Sequence, residues 1–168
     1  LANDYDPEAE ILAAHIQTGM IDVIQFRAKN LPYIKYKKWV FSLMKKIDFS
    51  KVLTFSNDHV EAVADLNLDG IHVGADDTPV FQVREMLGGD VLIGATARTL
   101  ERALLADSQC ADYLGVGTVF HTTTKQGLKA KGPAFIKEVQ DQVNIPVFAI
   151  GGICSENISE LLDLGINR

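Results

Sequence analysis

Short runs of β-branched and apolar residues alternate along the chain with longer stretches whose apolar positions recur at helical spacing. That alternation predicts stacked β/α units around a parallel sheet. Asp6-Pro7 opens a first helix, with Asp as N-cap and Pro at the first helical position, and Gly19 closes it. A strand is expected over 23–27, then a helix over 33–47, a strand over 52–55 and a short helix starting near Asp58. A strand over 70–73 precedes a helix over 79–87, and one over 91–94 precedes a helix over 99–107. A strand over 113–116 leads into a long loop and a helix over 134–143. The last strand, 147–150, ends in Gly151-Gly152 before a helix over 155–163. The reading yields six strands and seven helices in one domain spanning 1–168.

Three passages repeat a theme. Leu66-Asn-Leu-Asp-Gly-Ile-His-Val and Ser108-Gln-Cys-Ala-Asp-Tyr-Leu-Gly-Val each leave a helix, turn and enter a strand. Leu162-Asp-Leu-Gly-Ile-Asn-Arg168 begins alike and stops where its strand should start. An open sheet with bare edges is an aggregation template, whereas a barrel has no edges. The expected fold is therefore an eight-fold β/α (TIM) barrel, (β/α)8, lacking its first and last strands. A doubly wound open sheet is the alternative, and it leaves the interrupted repeat unexplained.

Composition narrows the partners. The chain has 168 residues, 47% of them apolar and 23% charged, and no apolar run long enough for a membrane span. Acidic residues outnumber basic ones by 22 to 16, for a net charge of −6, which argues against nucleic acid. A few focused cations could still gather small phosphates. Cys110 and Cys154 have neither metal-ligand nor disulfide spacing, and no signal peptide is evident, so a cytoplasmic location is expected. Nothing in the composition speaks against a homo-oligomer.

In barrels the chemistry lies at the C-terminal strand ends. Along the first strand Val23, Gln25, Arg27 and Lys29 share one face, and Ile24, Phe26 and Ala28 the other. The first face becomes cationic toward its end, which calls for an anion or for neighbouring carboxylates. Ser56-Asn57-Asp58 follows the next strand, and Asp76-Asp77 the one after. Asp58 could be a plain helix N-cap, but two carboxylates on successive strand-end loops suit Mg²⁺, a hard cation that takes oxygen ligands. The loop Thr118–Gly132 is longer than a connector requires, and Thr122, Thr123, Thr124 and Lys125 offer hydroxyls and a cation to phosphate oxygens. Gly151-Gly152 would let backbone N–H groups approach an anion, or would simply make a tight turn. His72 shares the inward parity of its strand; His15, His59 and His121 have no assigned role.

Taken in order, Val23-Ile-Gln-Phe-Arg-Ala-Lys29, Ser56-Asn-Asp58, Asp69-Gly-Ile-His-Val-Gly-Ala-Asp-Asp77, Ile93-Gly-Ala-Thr96, Gly115-Val-Gly-Thr-Val-Phe-His-Thr-Thr-Thr-Lys125 and Ala149-Ile-Gly-Gly-Ile153 resemble the thiamine phosphate synthase family, which includes the closely similar thiazole tautomerases. The resemblance implies a β/α-barrel transferase that joins hydroxymethylpyrimidine diphosphate to thiazole phosphate with Mg²⁺, releasing diphosphate. It implies that Arg27, Lys29, Asn57 and Lys125 bind the diphosphate and that Asp58 and Asp77 hold Mg²⁺. It places Gln25, His72 and Thr96 around the pyrimidine, and Thr122, Thr124 and Gly152 at the thiazole phosphate. Arg27, Lys29, Lys125 and Thr96 would then act on the departing group, and no protein nucleophile is needed.

The chain departs from the family pattern at Ala28, where Glu is usual, and at Thr96, where Ser is common. The family's last strand, with further phosphate contacts, has no counterpart here. Thr118 stands where the tautomerases carry a characteristic histidine, which favours the synthase over the tautomerase. A non-catalytic, phosphate-binding regulatory member of the fold is the reading from another functional class.

Overall fold

The computed structural model describes residues 7–122 and 129–168. The chain divides into two compact units, Leu1–His72 and Val73–Arg168. The first holds α1 (Pro7–Gln17), β1 (Val23–Phe26), α2 (Tyr33–Lys46), β2 (Leu53–Asn57), α3 (Glu61–Leu66) and β3 (Gly70–Val73), whose last residue falls past the boundary. The second holds α4 (Val80–Leu87), β4 (Leu92–Ala97), α5 (Leu100–Ser108), β5 (Tyr113–Gly117), α6 (Pro133–Gln142), β6 (Val147–Ile150) and α7 (Ile158–Leu162). The order of strands and helices is the one expected from the sequence.

Within the first unit β1 pairs with β2 and β2 with β3, always parallel. Register couples Val23 to Leu53, Gln25 to Phe55 and Asn57 to His72, so these side chains share one face. The other face takes Phe26, Ser56 and Ile71. In the second unit β4, β5 and β6 pair in the same way. There Gly94, Thr96, Tyr113, Gly115, Phe148 and Ile150 form one face, and Ile93, Leu114, Val116 and Val147 the other.

The second face of each unit is the core. Phe26, Ile71, Ile93, Leu114 and Val116 are 2% exposed or less, and helix residues Tyr36, Val40, Val83, Ala103 and Ile136 bury against this side at 0%. The opposite face leaves Val23, Leu53, Phe148 and Ile150 between 39% and 47% exposed. Because a chain alternates faces at every residue, the apolar helix-facing set fixes the other set as the inner face.

The repeated turns have a common construction. At the end of α3, Asn67 is left-handed (φ 52°), Leu68 N–H returns to Val63 O, and Leu68 is buried. At the end of α5, Cys110 (φ 64°) and Ala111, bonded to Ala106 O, repeat this. At the end of α7, Gly165 (φ 74°) and Ile166, bonded to Leu161 O, do so again. Each is a left-handed helix stop with a buried apolar residue after it. A carboxylate then ties back to the foot of the preceding strand. Asp69 accepts from Thr54 N–H and Thr54 Oγ1, and Asp112 accepts from Ile93 N–H and from Arg84. In the third copy Asn167 occupies the acidic position, and Ala149 N–H on β6 already donates to Arg168 O.

Several boundaries differ from the sequence reading for definable reasons. β2 runs to Asn57 and β4 to Ala97, because pairing with β3 and β5 continues past the apolar run. Helix α3 starts at Glu61 rather than near Asp58, since Asp58 itself is left-handed (φ 67°) and the N-cap position is Val60. The plain N-cap reading of Asp58 is thereby excluded. The proposed Asp6 cap lies outside the described residues. Among the described residues no helix is long and apolar enough to cross a membrane.

The Asp112 tie generates a test. Its carboxylate serves a backbone N–H and the Arg84 guanidinium, which also reaches Val91 O at 2.6 Å and Cys110 O at 2.8 Å. Asp112→Ala strips both partners and should lower stability by about 1–3 kcal/mol, the cost of orphaning buried donors. Urea unfolding would show a lower midpoint with an unchanged slope. An unchanged midpoint would mean that the turn forms without the carboxylate.

Candidate active site

The site residues expected from sequence divide between the two units. In the first, Gln25 ends the inner face of β1, and Arg27 and Lys29 continue its parity; all three are exposed. Lys29 Nζ lies 2.8 Å from Asp58 Oδ2. Asp58 also accepts from Asn57 Nδ2 at 2.8 Å through its other oxygen, and its N–H donates to His72 O. Asn57 Nδ2 reaches that same carbonyl at 3.2 Å. One asparagine amide therefore joins the end of β2 to the end of β3 and fixes the carboxylate between them. Asn57 and His72 sit opposite each other in the ladder, which explains their meeting. Both amide hydrogens being committed, the remaining atom of Asn57, Oδ1, is buried and has no hydrogen-bond partner.

In the second unit the acidic pair separates. Asp76 is exposed and lies 3.4 Å from Arg98, whereas Asp77 is half-buried and accepts Gly74 N–H at 2.7 Å. Asp77 and Thr96 line one cavity of about 260 Å³ together with Val73, Phe81, Ala95 and Arg102. Past β5, Val119 N–H and Phe120 N–H bond to Ile150 O and Gly151 O, zipping the start of the long loop onto the glycine turn. Gly151 and Gly152 are left-handed (φ 101° and 70°), and a Cβ on Gly152 would collide with His121 O. Glycine is thus required at 152, where the turn lies against Phe120 and His121. Thr124 and Lys125 lie outside the described residues.

The inner face of this unit is shaped by small residues. A Cβ on Gly94 would overlap the Tyr113 ring, so glycine on β4 is what lets that ring lie across it. Phe148 meets Tyr113 edge-on, with ring centroids 5.5 Å apart. The two rings form an aromatic floor, Tyr113 one step below Thr96 and Gly115 in the ladder and Phe148 level with them. Burial pushes the Tyr113 hydroxyl up to about 12.

The donor set can be tested against Mg²⁺. Among the described residues no cluster of three or more His, Cys, Asp or Glu is arranged to hold a metal, so they build no closed protein cage. Mg²⁺ is commonly held through one or two carboxylates and completed by substrate phosphates. Within the first unit Asp58 is a hard oxygen donor with the orphaned, buried Asn57 Oδ1 beside it, and within the second unit Asp77 is another hard oxygen donor. Each carboxylate is of the chemical type that suits a cation whose shell a substrate completes.

With this geometry established, similarity to known proteins decides the family. A family model described as thiamine monophosphate synthase matches residues 2–168. The chain belongs to that family. Thiamine-phosphate synthase 2 of Streptococcus pneumoniae is 34% identical over 99% of this chain and 80% of its own length. Thiamine-phosphate synthase of Shouchella clausii is 38% identical over 93% of this chain and 75% of its own. The solved structure of thiamine phosphate pyrophosphorylase from Pyrococcus furiosus superposes with a TM-score of 0.80 at 32% identity, covering 96% of this chain and 77% of that one. The fold class is the one expected from the sequence, an eight-fold β/α barrel, with six strands among the described residues.

Sequence reasoning missed the amide bridge of Asn57, although an Asn-Asp pair at a strand end was its visible sign. It also missed the pairing of Gly94 with Tyr113, for which a lone glycine on the polar parity of a strand is a weak signal.

Two measurements follow from the aromatic floor. Gly94→Ala must displace Tyr113 and should cost about 1–3 kcal/mol, as overpacking does, whereas Gly89→Ala, with nothing within 4 Å of the new methyl, should be neutral. Equal melting temperatures for the two variants would refute the overlap. The second is alkaline. Folding keeps the Tyr113 proton where the unfolded side chain, ordinarily near 10, would lose it. The folded state then binds more protons, so this contribution is intact below pH 10 and declines as the pH rises toward 12. Tyr113→Phe should flatten the fall in melting temperature over that window, and an unaltered slope would contradict it.

Proposed function

We propose that this family member is a thiamine phosphate synthase, coupling hydroxymethylpyrimidine diphosphate to thiazole phosphate in a Mg²⁺-dependent transfer that releases diphosphate. The observation that carries the reading is the polar end of β1 and β2. There exposed Lys29 pairs with a carboxylate held by Asn57, and exposed Arg27 shares its strand parity, in a chain matched by its family model over nearly its whole length. Its relatives' names point the same way.

In this reading the bond between the pyrimidine's carbon and a diphosphate oxygen breaks, the electron pair leaves with the diphosphate, and the thiazole nitrogen's lone pair forms the new bond to that carbon. Arg27 and Lys29 meet the growing negative charge, and Lys125 joins them from the long loop. Because Lys29 rests on Asp58 before substrate arrives, its ammonium group is already placed and need not be gathered from solvent. Asn57 keeps Asp58 oriented, and Asp58 and Asp77 would hold Mg²⁺, which when bound neutralises charge on the diphosphate oxygens. Gln25, His72 and Thr96 offer polar contacts to the pyrimidine from the inner face. Thr122, Thr124 and Gly152 receive the phosphate of the thiazole, where a missing Cβ lets the backbone come close. No nucleophile or general base on the protein is required. The cytoplasm suits two exposed cysteines without a disulfide.

The test mixes the protein with both substrates and Mg²⁺ and looks for thiamine phosphate. Phosphate binding without product would favour a regulatory member of the family instead. Asp77→Ala should reduce turnover by about a hundredfold or more, the scale of losing one electrostatic contact to a leaving group. Affinity for thiazole phosphate should barely change. Turnover that survives within a few-fold, or a parallel loss of turnover, affinity and melting temperature, would refute the assignment of Asp77.

A further inference from the structure

Helix α2 sends one hydroxyl into the interior behind the polar strand ends. Tyr36 is 0% exposed, and its Oη lies 3.0 Å from Phe26 O and 3.0 Å from Ser56 Oγ. Ser56, also fully buried, donates to His59 O at 3.0 Å. The four oxygens contain two hydroxyl hydrogens, and both carbonyls can only accept. The two hydroxyls therefore form one hydrogen-bonded chain between the carbonyls of Phe26 and His59, in which either hydroxyl can donate to the other. Burial also raises the Tyr36 hydroxyl above its ordinary value, so it remains a donor.

What this cluster touches is the reason it matters. Phe26 O immediately precedes Arg27, on the strand whose continuing parity presents Arg27 and Lys29. His59 O closes the turn whose middle residue, Asp58, is left-handed (φ 67°), with His59 N–H bonded to Asn57 O at 2.9 Å. The Tyr36 ring packs on the His59 ring at 4.4 Å between centroids, fixing the same turn through a second contact. Other polar groups on α2 face elsewhere: Tyr33 and Lys37 both bind Asp65 on α3.

We infer that Tyr36 is a positioning residue for diphosphate, locking the end of β1 and the Asn57–Asp58–His59 turn into one rigid unit through its hydroxyl. The inference rests on the proposed function, since it deepens the role of the same strand ends. Tyr36 touches no substrate in this account; it acts through Arg27, Lys29 and Asp58.

The experiment titrates the full chain calorimetrically with inorganic diphosphate in excess Mg²⁺, and measures KM for each substrate and melting temperature alongside. Tyr36→Phe keeps the ring and removes the hydroxyl. It should weaken diphosphate binding by about tenfold or more, as loss of a partner behind a ligating group does, with KM for thiazole phosphate unchanged. Tyr33→Phe makes the same chemical change on the same helix and should bind as wild type does. Ser56→Ala removes the tie to His59 while sparing that to Phe26, and should weaken diphosphate binding even if Tyr36→Phe fails to fold. Diphosphate binding by Tyr36→Phe and Ser56→Ala indistinguishable from wild type would overturn the inference while leaving the proposed function standing. So would a loss shared equally by thiazole phosphate and tracking melting temperature. A wild-type chain that takes up no diphosphate would overturn the functional reading itself.

Discussion

An acidic residue held at positive φ beside a lysine is the constraint on which the polar end of the first unit depends. Asp58 adopts φ 67°, a region that costs a residue with a Cβ about 1–3 kcal/mol unless its surroundings hold it. Here they do. Its N–H is bound to His72 O, one carboxylate oxygen is bound to the Asn57 amide, and the other is paired with Lys29. The consequence is that a carboxylate, a cation and an amide oxygen from β1, β2 and their following turns are fixed relative to one another before any ligand binds. An ordinary helix N-cap would have turned the carboxylate toward backbone N–H groups of α3. The left-handed residue turns it toward Lys29 instead.

The second unit solves a different problem with small residues. Its core face is densely filled, yet its inner face has glycine at positions 94, 115 and 117. At 94 the missing Cβ is occupied by the Tyr113 ring, and at 117 by the backbone of Ile150. At 151 and 152 it is occupied by the chain around Thr118 and His121. Glycine here brings neighbouring segments into contact, seating the Tyr113 ring against β4 and the 151–152 turn against Phe120 and His121. Loop flexibility is not its purpose at these positions.

Much of this was legible in the sequence, and what was not has a physical cause. Strand parity alone put Gln25, Arg27 and Lys29 together on the face away from the helices, since alternation leaves no choice once Phe26 is buried. The repeated helix-to-strand passages revealed both the β/α alternation and the interrupted last unit, because each copy needs a left-handed stop and a buried apolar residue. Local propensity could not show that Asp58 is left-handed, as that conformation is enforced by His72, fourteen residues on. Nor could it show that Asp76 and Asp77 diverge, one to Arg98 and one to Gly74. Tyr36 lies within the helix expected over 33–47, but its hydroxyl acquires meaning only from Phe26 and Ser56 on distant strand ends.

A structure of the protein grown with Mn²⁺ in place of Mg²⁺ and with inorganic diphosphate tests the central claim most directly. Anomalous density for Mn²⁺ is expected at the Asp58 carboxylate, with the diphosphate oxygens on Arg27 and Lys29. Diphosphate density away from the ends of β1 and β2, with Asp58 bound only to Lys29 and Asn57 and no metal near it, would contradict it.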